Sequence, residues 1–303
     1  MSFVNTVVQR LKRDYFRWQH GRAAAKILRT APVRKGELPF ILLSMVQKRD
    51  VMSYLVAVKS FTHFANPQRI VVVCDPSIDD ADRRIFRAHV PHIELRSADE
   101  FTHANIPRGG TWERLYAIAG YAETAYVVQL DADTVTTAPI PEVIAAVQAR
   151  NGFVIVEKTT TILRTLDDTR AITLSKTRVN PHVQSLSEAA MATVGLPPDA
   201  RYVRGCSGFT GFPPNPAMRD QMLDYSARMY QELGEHWKRW GTEQVTSNYL
   251  VANAHGVVTL PFPKYGTPNV LSNDMAFCHF IGSMRFIDGK YVDTSAKVIN
   301  LIG

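Results

Sequence analysis

The spacing of apolar runs constrains this chain more than any other feature. Residues 39–46, 69–75 and 125–130 are short runs rich in branched aliphatic side chains, and 92–96 is a shorter strand candidate. Between them, 51–64, 78–89 and 111–124 carry helical patterns. Strands that alternate with helices form a mostly parallel sheet with helices on both faces, an α/β, Rossmann-like architecture. Strands covered on both faces read as continuous apolar runs, as 39–46 does. Ligands of such sheets bind beyond the carboxyl ends of the strands, and Asp75 and Asp131 both stand at such ends. A helix at 139–150 and a strand at 152–157 follow. Residues 158–201 are polar and threonine-rich, the pattern of an insertion or a mobile lid. No repeat and no Gly/Ser linker divides the body, so 37–303 reads as one domain.

Charge sets the first 36 residues apart. The chain of 303 residues carries a net +7, but residues 1–36 hold nine basic residues and one acid. Residues 37–303 hold 26 basic and 27 acidic residues, so the body is balanced. That distribution argues against a nucleic-acid partner wrapped over the main surface. Val4, Val8, Leu11, Tyr15 and Trp18 recur at helical spacing within 3–29, with Arg10, Lys12, Arg13 and Arg17 largely off that stripe. A basic amphipathic helix of this kind suits an anionic membrane surface, engaged through residues 1–30; packing on its own domain or on a partner chain is the competing reading. No uninterrupted apolar stretch reaches membrane-spanning length, and the N-terminus is too basic throughout for a secretory signal. The expected location is therefore cytoplasmic, peripheral on the inner face of the plasma membrane. Cys74, Cys206 and Cys278 are far apart and sit in apolar or small-residue runs, which reads as three buried small hydrophobes.

The strongest chemical signal is Leu130-Asp131-Ala132-Asp133-Thr134, just past the fourth strand. Two carboxylates one residue apart can share a divalent cation, and hard oxygen ligands suit Mn²⁺ or Mg²⁺. Such a metal neutralises charge on a leaving diphosphate. Asp131-Ala132-Asp133-Thr134-Val135 also fits the D-x-D-x-[TV] of haloacid-dehalogenase-like phosphatases, with Asp131 as nucleophile. That motif belongs after a first strand, whereas some 130 residues of alternating strand and helix precede it here.

Helix, apolar strand and L-D-A-D-T together resemble the nucleotide-sugar glycosyltransferases of the GT-A fold. The similarity is greatest to family 8, the glycogenin and lipopolysaccharide galactosyltransferase group. Three further segments follow in that family's order. Cys206-Ser207-Gly208-Phe209 resembles its N-A-G-V, Glu243-Gln244-Val245-Thr246-Ser247-Asn248 its D-Q-D-x-x-N, and His279-Phe280-Ile281-Gly282-Ser283-Met284-Arg285 its H-x-x-G-x-x-K. The chain departs from the pattern at Cys206 for Asn, Glu243 for Asp and Arg285 for Lys. By the resemblance, the first two fall at positions that meet the donor sugar.

The resemblance implies a metal held by Asp131, Asp133 and His279, with Asp131 also reaching the ribose. It implies that Gly282 and Arg285 approach the diphosphate, that Arg114 faces the nucleotide, and that Ser44, Val46 and Gln47 lie near the base. Gln244 would stabilise charge at the reacting sugar and Glu243 would grip its hydroxyls. The implied activity is a metal-dependent, retaining glycosyltransferase. Its donor would be a nucleotide-diphosphate sugar, a UDP-sugar foremost, and its acceptor a cell-surface glycan or a lipid-linked glycan. The phosphatase, and a sugar-nucleotide-binding protein without catalysis, are the alternatives.

Overall fold

The computed structural model describes residues 3–176 and 179–303. The chain opens with α1 (Phe3–Ala24), a 3-10 turn and then β1 (Leu38–Val46). Next come α2 (Val51–Phe64), β2 (Pro67–Cys74), α3 (Asp80–His89), β3 (Ile93–Ser97) and α4 (Trp112–Tyr121). The strands β4 (Tyr126–Leu130) and β5 (Thr134–Thr136) flank the Asp131–Asp133 turn. After α5 (Pro141–Ala149) and β6 (Phe153–Val156) come β7 (Arg164–Thr165), α6 (Leu166–Leu174), α7 (Val183–Ala190) and β8 (Arg201–Tyr202). The remainder is β9 (Gly205–Phe212), α8 (Met218–Leu233), α9 (Thr242–Ala252), β10 (Val258–Thr259), β11 (Tyr265–Gly266), β12 (Phe277–His279) and α10 (Lys290–Ile302).

The main sheet has the order β10-β6-β9-β4-β1-β2-β3. Every neighbouring pair is parallel except those made by β9, which runs antiparallel to both β4 and β6. The chain moves outward from β1 to β2 and β3, then returns to β4 on the other side of β1. The crevice between the ends of β1 and β4 is thus the topological switch point, where α/β sheets bind ligands. A second small sheet, β11-β12-β5, stands beside it.

Side-chain alternation along the strands builds two cores. On β1, Phe40, Leu42 and Val46 join one cluster with α2, α3, α5 and α10, while Ile41 and Leu43 join the other with α4, α8 and α9. Within the polar stretch 158–201 the chain is not bare loop. It folds into α6 and α7, closed by the antiparallel pair β7–β8, and Val183, Ser187, Ala190 and Met191 are buried. Polar composition hid this element because its buried face uses small and hydroxyl side chains.

The basic N-terminal helix is half docked. His20, Ala24 and Ile27 are buried, and His20 stacks on Tyr291 of α10 with ring centroids 3.8 Å apart. Val7, Val8, Leu11, Tyr15 and Trp18 remain exposed. Substitutions on the two sides therefore differ in cost. Leu42→Ala should lose about 2–5 kcal/mol of stability by leaving a cavity, whereas Leu11→Ser, at a position 65% exposed, should stay within about 0.5 kcal/mol. Chemical denaturation of the two variants checks this.

Candidate active site

The switch point holds a cluster of ionisable side chains, and two strand pairings assemble it. The Asp131 amide donates to the Gly208 carbonyl of β9 at 2.9 Å, and the Thr134 hydroxyl donates to the Asp131 carbonyl at 2.8 Å. These bonds close the turn that aims both carboxylates beyond the sheet. Then β5 pairs antiparallel with β12, placing His279 opposite Thr134, and the Phe280 amide donates to the Asp133 carbonyl at 2.8 Å. His279 Nε2 consequently lies 3.1 Å from Asp133 Oδ1 and 3.6 Å from Asp131 Oδ2. One ligand atom from each of the three lies within 4.8 Å of the other two. Two carboxylate oxygens and one imidazole nitrogen, converging at the mouth of a crevice, fit a divalent cation of the Mn²⁺ or Mg²⁺ type.

Gly208 makes room for this. A Cβ built on it would stand 2.0 Å from His279 Cε1, so any side chain there displaces the imidazole. The other ring nitrogen, Nδ1, is 3.0 Å from the Cys206 sulfur. Cys206 is therefore not the inert buried hydrophobe its sequence context implies, unlike Cys74 and Cys278, which are buried. It holds the far side of the imidazole whose other nitrogen faces the acidic pair, the place where a partner fixes ring orientation.

Arg114, on α4 and only 4% exposed, lies between two carboxylates. One terminal nitrogen pairs with Asp131 and the other donates to Glu243 Oε1 at 3.0 Å. The second Glu243 oxygen accepts from Thr111 Oγ1 at 3.1 Å and Ser207 Oγ at 3.4 Å. Both Glu243 oxygens are thus engaged by protein donors. Thr111 takes a left-handed conformation (φ 73°) at the start of α4, a costly state for a β-branched residue and one that clusters at functional sites. Gln244 is half-buried on the first turn of α9 beside Glu243.

Arg285 completes the rim. Its Nη2 is 2.9 Å from Asp50 Oδ1 and its Nε 3.8 Å from Asp133 Oδ2. Neither nitrogen has hydrogen-bonding geometry to an acceptor, although both are buried, and the same holds for Arg114 Nε. Buried donors without acceptors are costly, and phosphate oxygens would satisfy them.

Ser44 is buried near the end of β1, its hydroxyl without a partner; Gln47 follows half-buried; Asp75 accepts from Ser77. A Cβ on Gly282 would meet nothing within 4 Å, so packing within the chain does not require glycine there. Gly208, Asp50 and Thr111 had no visible role in the sequence. The small residue in the N-A-G-V-like segment was the one available signal for Gly208.

Burial is the largest single influence on each member of the cluster, but neighbouring charges reverse its effect at two of the four. It raises the pKa of Asp131, which Arg114 and His279 only partly oppose, and that of Glu243 despite Arg114. At Asp133 burial also opposes ionisation, but His279 and Arg285 outweigh it and the pKa falls. For His279, burial works against the charged form, yet Cys206 and Asp133 carry the pKa well above its ordinary value.

This sheet order, with its antiparallel strand beside β4 and an acidic pair at the switch point, is the GT-A fold. Among solved structures, the chain is similar to the bifunctional glycosyltransferase WbbM, with 15% identity over 89% of this chain and 51% of that one, at TM-score 0.52. It is also similar to the galactosyltransferase LgtC in complex with donor and acceptor sugar analogues, with 12% identity over 87% of this chain and 96% of that one, at TM-score 0.50. An active-site mutant of LgtC gives 11% identity and TM-score 0.52 over the same shares. The chain spans about half of the WbbM chain and nearly all of LgtC. At such identities the likeness is one of fold. No family profile and no curated protein sequence matches the chain. The position of the acidic pair after β4, against an antiparallel strand, sets aside the haloacid-dehalogenase-like reading.

Two outcomes follow from the geometry. Gly208→Ala should abolish Mn²⁺ binding in titration calorimetry while circular dichroism stays that of the wild type. Mn²⁺ binding should also weaken as pH falls, because metal must displace protons from Asp131 and His279, whose pKa values are both raised. Stability of the metal-free protein runs the other way at His279. The contribution of its raised pKa is full below the unfolded value of about 6.5 and is lost as pH rises through the folded one. Titrations across pH 5 to 8, with thermal melts in parallel, check both signs.

Proposed function

We propose that the chain is a metal-dependent glycosyltransferase that takes a sugar from a nucleotide-diphosphate sugar, a UDP-sugar foremost, and passes it to a glycan or lipid-linked acceptor. The observation that carries this reading is the joint presence of the Asp131–Asp133–His279 cluster and two buried guanidinium groups with acceptor-less N–H donors at the same switch point. A cation on the cluster would neutralise the diphosphate and make it a better leaving group. Arg285 holds phosphate oxygens from the opposite rim and Arg114 fixes Asp131 in place. Ser44 and Gln47, at the end of β1, lie on the base side of the crevice. Gln244 faces the reacting sugar from α9, and Glu243 orients Arg114 and Thr111 around it. Retention of anomeric configuration is part of the proposal through the family resemblance.

The location of the enzyme is read from α1. Val8, Leu11, Tyr15 and Trp18 form an exposed apolar stripe, with Arg10, Lys12, Arg13 and Arg17 exposed beside it. Trp18, Arg22, Lys26 and Arg29 also line a groove of about 490 Å³ between this end of the chain and α10. An apolar stripe flanked by cations suits the cytoplasmic face of an anionic membrane, at about 1 kcal/mol per basic residue near the surface. There the enzyme would meet a lipid-linked acceptor. Because His20, Ala24 and Ile27 belong to the core, removal of the whole segment would unsettle the fold, and point substitutions are the sounder probe.

Wild-type protein should hydrolyse or transfer from a UDP-sugar only with Mn²⁺ or Mg²⁺, and Asp133→Asn should lose that activity at least about a hundredfold. Undiminished turnover in Asp133→Asn would reject the metal assignment; tight nucleotide binding without any turnover would favour a binding protein. Leu11→Glu with Trp18→Glu should release the protein from phosphatidylserine liposomes in sedimentation while leaving donor hydrolysis unchanged. Retention on the liposomes would refute the membrane reading.

A further inference from the structure

A cavity apart from the acidic cluster lies among the described residues. It measures about 650 Å³ and is lined by residues from 157 to 204, with α6 and α7 on one side and the segments just after β6 and just before β9 on the other. Its size lies within the range of small-molecule sites. Four cations line it, Lys158, Arg164, Lys176 and Arg204, against two carboxylates, Glu157 and Glu188.

These charges are unequally matched. Glu188 is 2% exposed and accepts from Arg204 at 2.7 Å and from the Tyr202 hydroxyl at 3.2 Å. One cation is thereby tied to one acid. Lys158, Arg164 and Lys176 make no ion pair among the described residues, and Glu157 is the sole other acid in the wall. Threonine, serine and tyrosine hydroxyls fill much of the remaining lining. Excess cations in a concave wall raise the local concentration of anions, and hydroxyl-rich linings suit a polyhydroxylated ligand.

The cavity connects to the proposed chemistry through β9. Arg204 lies two residues before Cys206, about 7 Å of extended chain, and Cys206 touches His279. The cavity wall and the acidic cluster are thus joined by one short stretch of backbone.

We propose that this cavity is the acceptor site and that it selects an anionic saccharide, one bearing a carboxylate or a phosphate. The proposal rests on the glycosyltransferase reading above. In the step it serves, an acceptor hydroxyl oxygen bonds to the anomeric carbon of the nucleotide sugar. The bond from that carbon to the diphosphate oxygen breaks, and the hydroxyl proton passes to the departing diphosphate. Arg164 and Lys158 hold the anionic group, and Glu188 keeps Arg204 in place.

Binding of glucuronic acid, glucose 6-phosphate, glucose and inorganic phosphate to the full chain, at matched ionic strength, tests this by ligand-observed NMR. Glucuronic acid or glucose 6-phosphate should bind about tenfold or more tighter than glucose. The carboxylate and phosphate arms show which anion is preferred. Lys158→Gln with Arg164→Gln should remove that preference while leaving the thermal shift caused by UDP with Mn²⁺ unchanged. Equal binding of glucose and its charged counterparts would overturn the proposal, as would inorganic phosphate binding as tightly as glucose 6-phosphate, which would mark a bare anion site. A protein that binds the charged sugars but shows no shift with UDP and Mn²⁺ would refute the transferase reading and the acceptor role with it. A normal UDP shift without saccharide discrimination would refute the acceptor proposal alone.

Discussion

Buried charge sets the terms for everything around the end of β4. Asp131, Asp133, Glu243 and Asp50 meet two guanidinium groups, those of Arg114 and Arg285, within one crevice. The formal excess is two negative charges, the amount a divalent cation would neutralise. Without it, His279 takes a proton more readily than usual, partly filling the same role. Removing one partner from a buried pair leaves an uncompensated charge at a cost of about 3–5 kcal/mol. Strand pairing fixes the backbone on which these charges stand. The β4–β9 and β5–β12 pairings hold the acidic turn and His279 whether or not the charges are balanced.

The same network reaches the N-terminal helix. Arg285 lies 5.7 Å from the centre of the Tyr291 ring, and Tyr291 stacks on His20 of α1. Burial lowers the His20 pKa to about 3, with Arg285 adding to the effect, so the imidazole is neutral at physiological pH and serves as an aromatic face. The basic segment is therefore a separate unit by charge but a continuous one by packing. Its inner end belongs to the core that supports Arg285, and its outer end is the exposed apolar stripe.

The parallel half of the sheet was legible because strands buried on both faces leave nearly continuous apolar runs, as β1 and β2 do. The acidic pair was legible as a motif, and His279 only through family resemblance, since the partners are 146 residues apart. Features created by tertiary contact were not legible. Gly208 is required by a ring that arrives much later in the chain. Cys206 reads as apolar filler until His279 is placed beside it. Asp50 looks like a helix-start acid until Arg285 is brought to it. The 158–201 segment read as lid because its helices bury serine, alanine and glutamate along with a few large apolar residues.

Pulsed electron paramagnetic resonance of Mn²⁺ bound to the full chain tests the central claim most directly. Metal held by this crevice should show a ¹⁴N modulation from one imidazole that disappears in His279→Ala, and a ³¹P coupling that appears when UDP is added. Bound Mn²⁺ that shows neither nitrogen nor phosphorus coupling would place the metal elsewhere and contradict the assignment of this crevice as the donor site.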